Sequence, residues 1–272
     1  LEILELPNSA GNHSSPFLTE NTEYVVAGTR FAVPMDDANG DVPIDSFKEN
    51  FKGVLSFIGI DQQTGGMDLS FQIEAPGINF DLSHAGKKKS GDWFFFSCYN
   101  SEKANTLLEV NASQNDKDFI MAVNWKKAAE LVKAGKGRKV TTEYAHNTWD
   151  ESTHSATSTM KKEVVVLSVE DMKDAMFMIP CPKSPHGCDV DPTGEYIIGS
   201  GKLAALIPVF SFDKMIKAIA DKNFAGEYDG VQVIKYEAAL HGEVQKPGLG
   251  PLHTEFDGKG NAYTSMFVSS EV

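Results

Sequence analysis

Histidine opens the same short pattern three times in this chain of 272 residues. His186 precedes a turn at Asp191-Pro192-Thr193-Gly194 and then Tyr196-Ile197-Ile198, and His253 precedes Asp257-Gly258-Lys259-Gly260 and then Tyr263. Histidine and tyrosine stand ten residues apart in both. His13 begins a looser copy, in which Glu20-Asn21-Thr22-Glu23 leads to Tyr24-Val25-Val26 at a spacing of eleven. Imidazole suits copper, zinc, iron and nickel alike, so three histidines at equivalent points form a candidate metal site without naming the metal. One such histidine alone is more often a turn residue bonded to backbone. The shared frame reverses that weighting, and Pro and Gly flank both better copies, at Pro185-His186-Gly187 and Gly250-Pro251-Leu252-His253. His84, followed by Gly91-Asp92-Trp93-Phe94 at a similar offset, is a possible fourth ligand on pattern alone. His146 and His154 match no metal-ligand spacing and are expected in solvent; His241 has no repeat context.

The elements that would position these residues read as short strands. Tyr24–Gly28, Gly53–Ile60, Met67–Ile73, Trp93–Ser97, Phe119–Val123, Glu163–Ser168, Tyr196–Gly199 and Tyr263–Val268 are aromatic and β-branched, with Gly, Asp and Asn between them. The repeat favours a propeller of four-stranded blades over a sandwich or barrel, because a radial array brings equivalent points of each unit to one axis. Two helices are expected as surface insertions. Trp125–Ala134 is stopped by Gly135, and Phe212–Lys222 has Asp213 as a candidate N-cap. The polar, Thr- and Ser-rich stretch 141–161 reads as a long loop.

The formal net charge of -13 lacks the basic footprint that nucleic-acid binding needs, and Lys87-Lys88-Lys89, the one basic run, reads as a solvated loop. No apolar stretch is long enough to span a membrane. Cys98, Cys181 and Cys188 form neither a disulfide framework nor a zinc motif. The chain begins without Met and stops abruptly after a strand-like segment, and is therefore expected to be an internal piece of a longer polypeptide.

Several blocks resemble one family. Pro182-Lys183-Ser184-Pro185-His186-Gly187-Cys188, with Gly194-Glu195-Tyr196-Ile197-Ile198 and Gly201-Lys202-Leu203 after it, is similar to a segment of the nitrous-oxide reductases. So are the run from Gly248 through His253 to Thr264, the block Cys98-Tyr99-Asn100-Ser101-Glu102-Lys103-Ala104, and, more weakly, Leu6-Pro7-Asn8 ahead of His13. The resemblance spans the chain. It implies an all-β fold, a partial seven-bladed β-propeller with short helical insertions, in which residues 1–272 form an incomplete N-terminal domain. The C-terminal cupredoxin domain of the family, with its dinuclear copper centre, lies outside this chain.

The implied activity is the reduction of nitrous oxide to dinitrogen and water by a periplasmic homodimer, fed by a periplasmic electron donor such as a c-type cytochrome. The implied cofactor is a four-copper sulfide cluster on the propeller axis. The matching motifs carry copper-ligand roles onto His13, His186 and His253, and none onto His84. They carry a calcium site onto Tyr99, Glu102, Asp118 and Ser184, although the family has Asn where Ser184 stands. Asp81 is a candidate partner for a ligating imidazole. With the second copper centre missing, the isolated stretch is expected to be inactive. Two other readings remain open: a mononuclear zinc or iron hydrolase using the three histidines, and a non-catalytic propeller acting as a binding scaffold.

Overall fold

The computed structural model describes residues 2–9, 11, 17–35, 50–101 and 118–272. After β1 (Glu2–Leu4), the chain forms β2 (Phe17–Leu18), β3 (Tyr24–Gly28), the two-residue β4 (Val33–Pro34), β5 (Phe51–Ile60) and β6 (Met67–Ala75). A second group comprises β7 (Ile78–Ala85), β8 (Trp93–Ser101) and β9 (Phe119–Asn124), then α1 (Trp125–Lys133), β10 (Arg138–Asp150), β11 (Ser155–Leu167) and β12 (Met176–Pro180). A third comprises β13 (Pro185–Val190), β14 (Tyr196–Gly201) and β15 (Leu206–Ser211), then α2 (Phe212–Ala220), β16 (Phe224–Tyr228), β17 (Val231–Ile234), α3 (Tyr236–Ala239) and β18 (Leu240–Gln245). The hairpin of β19 (Pro251–Phe256) and β20 (Ala262–Met266) follows.

Each group contains one antiparallel meander of four strands: β2-β3-β5-β6, β7-β8-β9-β12 and β13-β14-β15-β18. That is the composition of a propeller blade, and the fold is all-β with short helices, as the sequence leads one to expect. The second and third groups share a further pattern that sequence reading did not find. Between their third and fourth strands each inserts a helix and a hairpin, and one hairpin strand pairs in parallel with the outer strand of the preceding sheet. Val166 and Leu167 of β11 pair with Gln72 and Ile73 of β6, and Phe177 and Met178 of β12 pair with Gln232 and Val233 of β17. Each insertion therefore straps its own sheet to the one before.

The middle sheet is buried on both faces, and β8 shows why. In Trp93-Phe94-Phe95-Phe96 alternate side chains leave opposite faces. Phe94 and Phe96 join Phe57, Phe71 and Phe80 in the core against the first sheet, whereas Trp93 and Phe95 join Ile120, Ile197 and Phe210 against the third. An aromatic run with no polar alternation is the signature of such a doubly covered strand.

Three local expectations are corrected. Stretch 141–161 lies within the long hairpin β10–β11, which is exposed throughout residues 151–160 and so lacks apolar alternation there; Thr148 and Thr157 hydroxyls pair across it at 2.8 Å. The helices are more than surface decoration: Trp125 is buried and its indole N–H donates to the Gly91 carbonyl at 2.8 Å, while Phe212 and Met215 of α2 are buried. The N-cap of α2 is Ser211, whose hydroxyl accepts from Lys214 N at 3.2 Å, and Asp213 lies in the first turn.

Candidate metal centre

In its two better copies the histidine pattern corresponds to a β-hairpin, β13–β14 at the start of the third meander and the separate β19–β20. The turn between β13 and β14 is closed by Asp191, whose carboxylate accepts from Thr193 N at 3.1 Å and Tyr196 N at 2.8 Å. Asp257 plays the same part between β19 and β20, accepting from Lys259 N at 2.8 Å and Asn261 N at 2.9 Å. Gly194 and Gly260 sit in these turns at φ of 74° and 90°, a region that favours glycine. Tyr196 starts β14, and Tyr263 is the second residue of β20.

β7 and β19 both pack against β13. All three are irregular near their functional residue. The ladder slips between Phe80 and Ser83 in β7, between Pro185 and Gly187 in β13, and between Pro251 and Thr254 in β19. These intervals contain Asp81, His186 and His253. A β-bulge re-aims side chains, and here it brings the two histidine rings to a centroid separation of 4.9 Å at an interplanar angle of 74°. Gly187 permits the approach, since a Cβ there would lie 2.1 Å from the Leu252 carbonyl oxygen.

Each ring faces a carboxylate through Nδ1. His186 Nδ1 is 2.8 Å from Asp81 Oδ2, and Lys202 Nζ donates to the same oxygen at 2.9 Å. Burial pushes the Asp81 carboxyl upward, but the bond to His186 and the Lys202 charge outweigh it and hold the group well below the usual carboxylate range. His253 Nδ1 lies 4.0 Å from Asp189 Oδ1, an ion-pair rather than hydrogen-bond distance, while Asp189 Oδ2 accepts from Thr254 N at 2.6 Å. The Asp189 carboxylate draws the His253 pKa upward against partial burial. Ser97 Oγ donates to the His186 carbonyl and ties β8 to β13.

An imidazole whose Nδ1–H is held by a carboxylate presents Nε2 as a metal donor. His186 has that arrangement, and His253 approaches it. His13 lies outside the described residues. Among the described residues no group of three or more His, Cys, Asp and Glu side chains is arranged to hold a metal ion. The two rings fit two donors of a larger set and no complete site. His253 also lines a cavity of about 820 Å³ with His84, Lys87, Asp189 and Glu255.

His84 sits near the far end of β7, stacked on Phe17 at 4.7 Å with Nδ1 2.8 Å from the Ala85 carbonyl oxygen. Lys87 is half-buried and donates to the Val190 carbonyl at 2.8 Å, unlike the solvated side chain expected. His146 is also largely buried, with Nε2 3.7 Å from Glu2 Oε1; His154 is exposed. All three cysteines are free and buried, and burial pushes their thiols up.

Of the calcium set, Glu102 lies outside the described residues. Tyr99 and Asp118 stand at adjoining ends of β8 and β9, where Cys98 pairs with Phe119. Ser184 is buried before β13, and its carbonyl accepts from Lys202 N at 3.0 Å. The Tyr99 hydroxyl accepts from the Arg30 guanidinium, and Lys202 Nζ lies 4.0 Å from the ring centroid. Two cations at Tyr99 are a poor match for a calcium ligand, which must offer oxygen to a hard dication.

Fold and site together define a propeller-like β protein with imidazoles converging on its inner strands. Comparison with known proteins adds a particular likeness: over its whole length the chain is similar to nitrous-oxide reductase. It is 33% identical over 275 aligned residues to the Pseudomonas fluorescens enzyme and 32% over 274 to that of Stutzerimonas stutzeri. The alignment takes in 100% of this chain and spans 37% of the length of each of these curated relatives. No family model matches. Among solved structures, Kuenenia stuttgartiensis hydrazine synthase superposes over 93% of this chain and 80% of that one at 12% identity and a TM-score of 0.35, too slight a likeness to bear on the fold.

Proposed function

We propose that the full-length protein containing this chain reduces nitrous oxide to dinitrogen and water with two electrons and two protons, at a histidine-held copper–sulfide cluster. The observation that carries the reading is the meeting of His186 and His253 from adjacent inner strands, with Asp81 bonded to one ring and Asp189 beside the other. Similarity of the whole of this chain to part of the nitrous-oxide reductases supports the choice of copper over the other imidazole-binding metals. When bound, such a cluster supplies electron density to an inert, weakly binding oxidant from more than one metal.

The chain's own residues hold and orient. His186 and His253, with His13, would supply neutral imidazole nitrogens. Asp81 fixes the His186 ring through Nδ1, and Ser97 fixes its backbone. The cavity bordered by His253 is the proposed approach for the small, uncharged substrate. Among the described residues no helix is long and apolar enough to cross a membrane. Periplasmic location, homodimerisation and delivery of electrons by a c-type cytochrome belong to the proposal through the family likeness. Calcium at Tyr99, Glu102, Asp118 and Ser184 rests on that likeness alone, and a rise in thermal midpoint on adding calcium to the chelated protein is its test.

The activity test is consumption of nitrous oxide by the full-length protein with reduced viologen as donor, followed by gas chromatography, alongside metal and sulfide analysis. Copper with sulfide and stoichiometric dinitrogen are expected. Zinc in place of copper, with no dinitrogen formed, would contradict the reading.

A further inference from the structure

Lys202 lies in the turn after β14 rather than on an inner strand, yet its ammonium reaches the interior of the site. Two close approaches bring it there. A Cβ on Gly201 would lie 1.9 Å from the Pro182 carbonyl oxygen, so this turn packs against the segment that leads into β13. The Lys202 amide then donates to the buried Ser184 carbonyl at 3.0 Å, two residues before His186. Its backbone is thereby tied to the histidine's own strand.

The ammonium is held on two sides. Its nitrogen stands 4.0 Å from the centroid of the buried Tyr99 ring, a cation–π contact, and that ring is itself fixed by the Arg30 guanidinium at the hydroxyl. On the other side it donates to Asp81 Oδ2 at 2.9 Å, and that oxygen is also 2.8 Å from His186 Nδ1. A buried carboxylate is costly without a counter-charge. The Lys202 ammonium supplies that charge and a fixed donor to the same oxygen that meets His186.

We propose that Lys202, backed by the Tyr99 ring, is the positioning residue for His186: it pins the Asp81 oxygen that fixes the imidazole's tautomer and direction for copper. Tyr99 thus contributes to the site through its aromatic face, from a position that the family resemblance links to calcium. The role of the imidazole as a copper donor rests on the function proposed above. The geometry that Lys202 imposes on the metal-free ring does not.

The experiment compares full-length wild type with Lys202→Met, Lys202→Arg, Asp81→Asn and the Lys202→Met/Asp81→Asn double variant. One readout is copper affinity with cuprous ion alone as probe; the other is the side-chain nitrogen NMR spectrum of His186 in metal-free protein, assigned by its loss in His186→Gln. Lys202→Met is expected to weaken copper binding by about 10–100-fold, the usual consequence of losing a partner behind a ligand, and to divide His186 between tautomers. Lys202→Arg, which can donate to the same oxygen, should restore a single Nδ1–H form and most of the affinity. Because Lys202 acts through Asp81, the double variant should bind copper no more weakly than Asp81→Asn alone. Unchanged affinity and tautomer in Lys202→Met, or full additivity in the double variant, would overturn the proposal. If wild type binds no copper while the tautomer still follows Lys202, the copper reading fails and the positioning role stands.

Discussion

At the scale of the residue, the site depends on how closely two strands approach. Gly187 lets β13 lie against the Leu252 carbonyl, and Gly187→Ala would place a methyl group 2.1 Å from that oxygen. Overpacking of this kind costs about 1–3 kcal/mol, and it should move His253 away from His186. Copper content of the full-length Gly187→Ala protein is expected to fall with its circular dichroism unchanged. Asp257 offers a separate check on the turn that follows His253. Its carboxyl is held down to about 2 from a reference of 3.8 by hydrogen bonds from Asn261 and Lys259. A depressed carboxylate contributes stability above its unfolded pKa and loses it as pH falls through the folded one. The stability difference between wild type and Asp257→Asn should therefore hold at neutral pH and close between about pH 4 and pH 2, as read by denaturant titration. Histidine spacing exposed two of these residues in the sequence because turn chemistry is local. The bulges, Gly187's contact and the Lys202 reach are set by strands distant in the chain, and nothing in the spacing encodes them.

At the scale of the element, the repeat extends past the histidine hairpins to the helix-and-hairpin insertions that strap one sheet to the preceding one. α1 is the anchor of the first insertion, and Trp125 is its main buried contact, joining the core around Phe57 and Phe71 and donating to Gly91. Trp125→Ala should cost about 3–5 kcal/mol, as for other buried aromatic truncations, and should increase hydrogen exchange along β10–β11 before the third sheet. Equal exchange in all sheets would count against a strapping role. The sequence displayed β3, β5, β6, β8, β9, β14, β20 and the end of β11, together with α1 and α2, to within a few residues. Among the strands it hid are β7, β13 and β19, whose Asp, His, Ser, Pro and Gly content opposes strand propensity while burial and neighbouring strands impose it. The β10–β11 hairpin was hidden for another reason: its tip, exposed throughout residues 151–160, has no apolar alternation.

At the scale of the whole molecule, three meanders and a further hairpin place His186 and His253 at one locus, while the chain covers 37% of the length of the reductases it resembles. On the proposed function, electron entry and the remaining ligands belong to the rest of the full-length protein, so residues 1–272 alone are expected not to reduce nitrous oxide with viologen; turnover by this stretch would refute the division of labour. The claim on which the rest depends is that His186 and His253 bind copper. An anomalous difference map collected at the copper absorption edge on crystals of the full-length protein tests it most directly. The account predicts copper peaks within bonding distance of Nε2 of both histidines, lost on the low-energy side of the edge. Full copper occupancy elsewhere, with neither ring bonded to metal, would contradict it.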